Sequence, residues 1–473
     1  MAAVIVVVAA LIAGCRDDVR WTTTDPSAVA WYEKGVQAWQ RFLYPEAFAA
    51  IDSALSRDPT FAAAWGRRAL LLYSTGDLTT ARAAISRAQS FAEHATPRER
   101  DIIRLWSFRI TDRRQSEADL ADSLIARYPD DPELYLIRGQ CYEGDRKYEA
   151  AVEAYAQSVE RDTGFALGVM SLGYAYSTLG EQDRAVEYMQ RYIRMAPDQP
   201  DPRASYADIL VRAGRYEEAL EQYRAALAIK PDYWYAVREI GTVYLIKGRL
   251  RDAERQFEEA GNMLPPNGAT ESGMLRVRGV LDIQRGQFGD AVARFRAAQI
   301  VDSSFMNQAY QLAFALSRLK RFAEAREVVD STLAEIERRG LAGTQYMEVF
   351  HLIRARVYTE AGALDSAKAA CDEALELANP LTRGRVYLHL ARVHLAARNW
   401  DGAMDAVERA LAVNPEAPEV LHTLTMVYAG MGDKAMAGEI GQRLLMIWRE
   451  ADADYRPLLE LKRTLRTAGV HVS

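Results

Sequence analysis

Small and apolar residues recur along the chain with a period of about 34 residues, which predicts a repeated pair of helices. An alanine marks each repeat, and successive alanines such as Ala151, Ala185 and Ala219 are 34 residues apart. A small residue, for example Gly139 or Gly173, stands 12 residues before the alanine. Helices approach closely only where side chains are small, so these positions predict the crossing of two antiparallel helices. A single helix pair cannot bury its apolar face, and we therefore expect the pairs to stack.

The repeats also share aromatic residues and, in many copies, a closing proline. An aromatic residue four positions after the alanine is expected to fill the space toward the neighbouring unit. The pattern resembles the tetratricopeptide-repeat family, whose units have about 34 residues. The resemblance implies an all-α fold, an α-solenoid forming a right-handed superhelix of about twelve helix-turn-helix units over residues 28–450. One copy, from Pro200 to Tyr233, carries Tyr206, Ala207, Leu210, Tyr216, Ala219, Tyr223, Ala226 and Pro231.

Irregular spacings predict where the repeats depart from this pattern. One gap of 70 residues between marker alanines leaves room for a degenerate unit at 96–131. Longer steps predict insertions near 265–270 and 336–346. The segment 451–473 has leucines spaced among arginine and lysine, and we expect it to form a C-terminal capping helix with one polar face.

The first residues predict export and lipid attachment. Residues 2–13 are all small or apolar, too few for a membrane span of about 20 residues but typical of a secretory signal. The run Leu11–Cys15 resembles a bacterial lipobox, which implies a lipoprotein signal peptide at 1–14, a lipidated Cys15 and a polar linker within 15–27. Because Arg16 follows Cys15, we expect the lipoprotein to be sorted to the outer membrane, with the protein facing the periplasm. Because no basic residue precedes the apolar run, a truncated helix of a single-pass membrane protein is the alternative.

Composition and motifs exclude several other classes of function. The chain has 59 basic and 65 acidic residues, so its net charge of −6 gives no support to nucleic-acid binding. Three cysteines cannot form a disulfide framework or a four-thiolate metal site. His389 and His394 are poorly spaced for one metal ion, and the common phosphate-binding, hydrolase and zinc-protease motifs are missing from the sequence. We therefore expect no enzymatic activity, cofactor, metal or small-molecule substrate.

The family resemblance also implies a peptide-binding groove, because the first helix of each unit lines the concave face of such solenoids. Aromatic residues and arginine suit a binding surface, since they combine a large contact area with a polar group. We expect the groove to bind an extended or helical peptide with apolar and acidic features. The candidate groove residues are Tyr32, Trp39, Tyr73, Met170, Tyr174, Tyr235, Arg238, Arg276, Tyr310, Phe314, Arg356 and Arg392.

Two functional hypotheses follow. The first is a non-enzymatic scaffold or adaptor, lipid-anchored in the bacterial cell envelope, that binds a protein or peptide partner; self-association is a variant of this hypothesis. The second is the sensory or regulatory region of a membrane-associated serine/threonine kinase or transcriptional regulator whose N-terminal part is missing. Its basis is the segment Thr96–Ile103, which together with the turn at Tyr128–Pro132 resembles stretches of repeat regions fused to such proteins.

Overall fold

A computed structural model describes residues 21–40, 43–74, 77–264, 268–301, 306–338 and 345–471. In these residues the chain forms 25 α-helices and one 3-10 turn at Ala92–His94, with no strand. The all-α repeat fold is thereby confirmed. The predicted signal peptide and Cys15 lie outside the described residues, as do 265–267 and 339–344 within the two predicted insertions.

The helices form twelve consecutive antiparallel pairs followed by a single helix. The described residues fall into two compact bodies, which we call the N-terminal body (residues up to 175, with 191–196) and the C-terminal body (176–190, with 197 onward). The first four pairs belong to the N-terminal body, the fifth contributes to both, and the last seven belong to the C-terminal body. The first five pairs are α1 (Pro26–Gln40) with α2 (Tyr44–Arg57), α3 (Ala62–Ser74) with α4 (Leu78–Phe91), α5 (Pro97–Ile110) with α6 (Arg114–Arg127), α7 (Pro132–Gly144) with α8 (Tyr148–Arg161), and α9 (Ala166–Leu179) with α10 (Gln182–Met195).

The remaining pairs and the last helix lie in the C-terminal body. They are α11 (Pro200–Arg212) with α12 (Tyr216–Ile229), α13 (Trp234–Ile246) with α14 (Leu250–Asn262), α15 (Gly268–Arg285) with α16 (Phe288–Val301), α17 (Met306–Arg318) with α18 (Phe322–Arg338), α19 (Gln345–Glu360) with α20 (Leu364–Leu377), α21 (Arg383–Ala396) with α22 (Trp400–Val413), α23 (Pro418–Met431) with α24 (Lys434–Ile447), and the single helix α25 (Arg456–Thr467). The degenerate unit predicted at 96–131 corresponds to the pair α5 and α6.

Close helix crossings are made where the sequence places its small residues. A Cβ atom added to Gly139 would lie 2.4 Å from the ring of Tyr155, which stands four residues after the marker alanine. A Cβ atom added to Gly279 would likewise lie 2.7 Å from the ring of Phe295. The aromatic ring therefore packs against the small residue of its own pair, where the sequence led us to expect it to fill space toward the next pair. All the marker alanines are fully buried: Ala47, Ala81, Ala151, Ala185, Ala219, Ala253, Ala291, Ala325, Ala367, Ala403 and Ala437.

The folded region starts earlier than the predicted linker allows. Helix α1 begins at Pro26, where a missing amide hydrogen costs no helical hydrogen bond. The Asp25 carboxylate accepts a hydrogen bond of 2.8 Å from the backbone N–H of Ser27, as an N-cap residue does. Trp21 is 8% exposed, and its ring packs edge-on against Tyr32 at 4.8 Å. The predicted linker over 15–27 is thus too long at its C-terminal end.

The C-terminal body is closed by residues near its end. Helix α25 packs against α23 and α24 with Leu458, Leu461 and Leu465 buried, as a cap would. The segment 448–455 before it, which we call the strap, also contacts the turn between α13 and α14. There the Trp448 indole donates a hydrogen bond of 3.1 Å to the carbonyl of Ile246, and the backbone N–H of Asp452 donates one of 2.9 Å to the carbonyl of Gly248. The twelfth pair is therefore tied to the seventh.

Candidate functional site

In the N-terminal body, side chains from the first helices of successive pairs line a cavity of about 410 Å³. Three of the predicted groove residues meet there: Trp39 from α1, Tyr73 from α3 and Met170 from α9. Trp106 and Leu136 add further apolar surface from α5 and α7. Tyr73 is 38% exposed, so its ring is available for contact. The cavity is suited to an apolar or aromatic side chain of a partner.

A buried ion pair lies beside this cavity. Arg67 is 2% exposed, and its guanidinium makes two hydrogen bonds of 3.1 Å to the carboxylate of Glu133. The rings of Trp39 and Trp106 lie 4.6 and 4.5 Å from the guanidinium carbon, within cation–π distance. Burial alone would lower the pKa of Arg67, but the charge of Glu133 raises the pKa above its ordinary value. The pair links α3 to α7, and the repeat pattern gave no signal for it.

Two predicted residues of this body lie elsewhere. Tyr32 is fully buried, with its ring 4.8 Å from Trp21 and 5.1 Å from Phe61. Tyr32 thus packs in the core of the first pair, and it also lines a second cavity of about 1000 Å³ whose wall includes Arg67 and Glu133. Tyr174 is partly buried on α9, one turn after Met170.

In the C-terminal body, predicted groove residues from three successive pairs also converge. Phe314 on α17, Arg356 on α19 and Arg392 on α21 line a cavity of about 230 Å³, and the two arginines also line an adjoining cavity of about 560 Å³. Arg318, Arg356 and Arg392 line both of them. We call this space the arginine cavity. It combines positive charge with aromatic surface, since Phe288 and Trp448 are also in its wall.

Two guanidinium groups of the arginine cavity have no carboxylate partner. The Arg356 guanidinium carbon lies 3.6 Å from the ring centroid of Phe314. Among the residues that the structure describes, neither Arg356 nor Arg392 makes a hydrogen bond or an ion pair through its side chain. Burial, followed by the charge of Arg392, lowers the pKa of Arg356, and burial lowers that of Arg392. Both groups are still protonated at neutral pH, so the cavity can accept an anion.

The carboxylates around this cavity belong largely to other ion pairs. Glu360 is paired with Arg318 at 2.7 Å. Glu460, on α25, is paired with Arg456 at 2.6 Å and lies 3.9 Å from Arg318. The capping helix therefore places a carboxylate at the cavity instead of presenting its polar face only to solvent.

Two histidines also line the arginine cavity. His389 lies on α21 and His422 on α23. The Nε2 atom of His422 is buried and has no hydrogen-bond partner in the described structure. Burial and then the charge of Arg392 lower the pKa of His422 to about 4, and the same two causes lower that of His389. Both rings are therefore neutral at pH 7.

The other four predicted groove residues do not line the arginine cavity. The Tyr235 hydroxyl donates a hydrogen bond of 2.8 Å to Asp208. Arg238 is exposed and forms an ion pair with Glu239 at 2.6 Å. Arg276 and Tyr310 are partly buried on α15 and α17.

The remaining candidates for chemistry are the free cysteines and groups of potential metal ligands. Cys141 and Cys371 are buried free thiols, and burial raises their pKa values to about 11 and about 12, so both are protonated at neutral pH. No group of three or more His, Cys, Asp or Glu residues in the described ranges is placed to hold a metal ion. None of the helices described is both long and apolar enough to span a bilayer.

Comparison with known protein families finds helical repeats along the chain. Models described as tetratricopeptide repeat match residues 32–97 and 108–166, 160–232 and 358–427, which together are more than half of the 473 residues. A model described as the TT21 fifth ARM repeats domain matches residues 204–313.

Individual relatives are distant. Cellulose synthase operon protein C from Xanthomonas axonopodis pv. citri is 24% identical over 330 residues, which are 67% of this chain and 20% of that protein. Human tetratricopeptide repeat protein 13 is 25% identical over 160 residues, 33% of this chain and 18% of that protein. The chain thus spans about a fifth of the length of these relatives. Among solved structures, yeast Tom70 aligns over 94% of this chain and 96% of its own, with 13% identity and a TM-score of 0.38.

Proposed function

Because the chain belongs to the tetratricopeptide-repeat family, we propose that it is a non-enzymatic protein-interaction scaffold. The first helices of its pairs would hold a protein or peptide partner. One observation carries this proposal: residues selected only by repeat register converge from different pairs onto shared cavities. Trp39, Tyr73 and Met170 do so in the N-terminal body, and Phe314, Arg356 and Arg392 are brought together in the C-terminal body.

A site-specific crosslinking experiment tests the scaffold function. A photoreactive phenylalanine analogue at Tyr73 is expected to capture a defined partner in extracts of the native host, because this side chain is exposed within a cavity. Tyr73→Ser is expected to reduce recovery of the same partner about tenfold, as loss of an aromatic anchor does. The control places the analogue at Ile300, which is 86% exposed on the second helix α16. Equal capture at both positions, or no capture at Tyr73, would contradict the proposal.

We also propose that the scaffold is lipid-anchored in the bacterial cell envelope. The support is the sequence Leu11–Cys15, in which Cys15 would carry the diacylglyceryl group. The residue after Cys15 is an arginine, which favours the outer membrane with the repeats facing the periplasm. Further acyl chains on Cys15 would make the attachment stable, since one chain gives only marginal membrane binding.

Cys15→Ser is expected to move most of the protein from the membrane fraction to the soluble fraction, because the lipid attachment site is lost. Fractionation and metabolic labelling with a fatty acid measure this change. Cys371→Ala is the control, since it removes a buried cysteine from the core and should leave the location unchanged. Membrane retention of Cys15→Ser with an uncleaved N-terminus would instead support a single-pass membrane protein.

A regulatory region of a larger membrane protein is the alternative, based on the segment Thr96–Ile103. The structure gives one residue of this segment, Glu99, a packing role. Glu99 is fully buried, and its carboxylate accepts hydrogen bonds from Thr22 at 2.6 Å and from the backbone N–H of Ala63 at 2.9 Å. Folding of the N-terminal body thus accounts for the glutamate, and the alternative keeps only the sequence resemblance as its support.

A further inference from the structure

Positive charge exceeds negative charge around the arginine cavity. Its wall contains four arginines and three glutamates, and Arg318 and Arg456 are paired with two of those glutamates. Arg356 and Arg392 are left with Glu419, which forms no hydrogen bond or ion pair with either of them. Each guanidinium offers a planar set of N–H donors that fits a carboxylate. One excess positive charge and two unused donor groups are the chemistry of an anion-binding site.

Helix α25 shows what kind of group the cavity can accept. It brings the carboxylate of Glu460 to the cavity from a helix whose opposite face is apolar and packed against the last pair. The strap keeps the helix in place through an ion pair of 2.9 Å between Arg249 and Glu450 and a hydrogen bond of 2.9 Å from the backbone N–H of Arg251 to Asp452. Glu460 nevertheless reaches only the edge of the arginine set, 3.9 Å from Arg318.

We propose that the arginine cavity binds an acidic segment of a partner protein and that Glu460 of α25 competes with it. This inference rests on the proposed scaffold function and gives the partner a chemistry. A glutamate or aspartate of the partner would accept hydrogen bonds from Arg356 and Arg392. A neighbouring apolar side chain would contact Phe314 and Trp448. Removal of the Glu460 charge would then favour binding, because a like charge beside the incoming carboxylate is lost.

The surroundings favour a peptide over a nucleic acid. The cavities of about 230 and about 560 Å³ have room for one or two side chains and are walled by aromatic rings. Nucleic-acid binding instead relies on a basic surface that follows the phosphate backbone. The whole chain carries a net charge of −6, so electrostatic attraction is confined to this local site.

Binding of fluorescently labelled hexaglutamate to the full chain tests the proposal, with hexaglutamine as the uncharged peptide. Arg356→Gln and Arg392→Gln are each expected to weaken hexaglutamate binding about tenfold or more. Glu460→Gln is expected to strengthen it by roughly threefold to tenfold. The matched control is Arg409→Gln, which changes an exposed arginine on the second helix α22, outside the cavity, and should leave affinity unchanged. Thermal melts show whether each variant is folded.

Each remaining outcome overturns part of the proposal. Failure of both the wild type and folded Glu460→Gln to bind hexaglutamate would exclude an acidic ligand. Unchanged or weaker binding by Glu460→Gln would exclude competition by α25. If a thymidine hexanucleotide bound as tightly as hexaglutamate and lost the same affinity in the arginine variants, the cavity would be a general polyanion site. Crosslinking at Tyr73 is independent of these results because it reports on the N-terminal body. Failure of the scaffold proposal can therefore be distinguished from failure of the acidic-ligand proposal.

Discussion

Replacing Glu133 with glutamine is expected to lower the free energy of unfolding by about 3–5 kcal/mol, because it leaves a buried guanidinium without its counter-charge. Arg67 is 2% exposed and makes both of its carboxylate hydrogen bonds to Glu133. A neutral amide can replace one of these bonds but cannot balance the charge. The adjacent rings of Trp39 and Trp106 already contact the guanidinium in the wild type, so they do not replace the lost counter-charge. Urea unfolding followed by tryptophan fluorescence measures the change.

An exposed ion pair of the same body provides the comparison. Asp52 is 51% exposed and pairs with Arg68, which is 27% exposed, at 2.8 Å. Asp52→Asn should therefore cost about 0–1 kcal/mol. The double replacement Arg67→Met with Glu133→Leu should recover much of the stability lost in Glu133→Gln, since apolar residues remove both buried charges. If Glu133→Gln and Asp52→Asn unfold at the same urea concentration, the buried pair does not hold the N-terminal body together as we argue.

This ion pair shows what the repeat pattern could not predict. The pattern predicted the buried alanines and the glycine crossings because the two helices of every unit pack against each other in the same way. Arg67 and Glu133 lie 66 residues apart and join the second pair to the fourth. A contact between two pairs that are not neighbours is not part of the packing that every unit shares, so periodicity carries no information about it.

Some contacts of the candidate site residues likewise follow from the repeat pattern, and others do not. Phe314, Arg356 and Arg392 line one cavity because equivalent positions on stacked first helices face the same space, and their role in binding stays a prediction. Register did not predict that Trp21 packs against the ring of Tyr32, because Trp21 lies before α1 and outside the repeats. Glu460 was missed because the fold-back of the chain end onto the seventh pair is not periodic. The contacts of residues before α1 and after the last pair therefore cannot be predicted from the repeat pattern.

Lowering the pH from about 6.5 to about 5 is expected to destabilise the C-terminal body by about 2–4 kcal/mol through His389 and His422. Burial, then the charge of Arg392, lowers the pKa of His422 to about 4 and lowers that of His389. The unfolded chain, with an ordinary histidine pKa of about 6.5, binds more protons than the folded chain in this range. The contribution of these rings to stability is thus complete above pH 6.5 and is lost as the pH falls.

Urea unfolding at several pH values between 7.5 and 5 measures this effect, and paired variants isolate it from other titrating groups. The double variant His389→Gln with His422→Gln should lose less stability than the wild type over this range, because its neutral amides take up no proton. His94→Gln is the control, since His94 is exposed in the N-terminal body. Arg392→Gln should also flatten the profile, because it removes a positive charge that disfavours protonation of both rings. A double variant as acid-sensitive as the wild type would show that these histidines do not control the pH response.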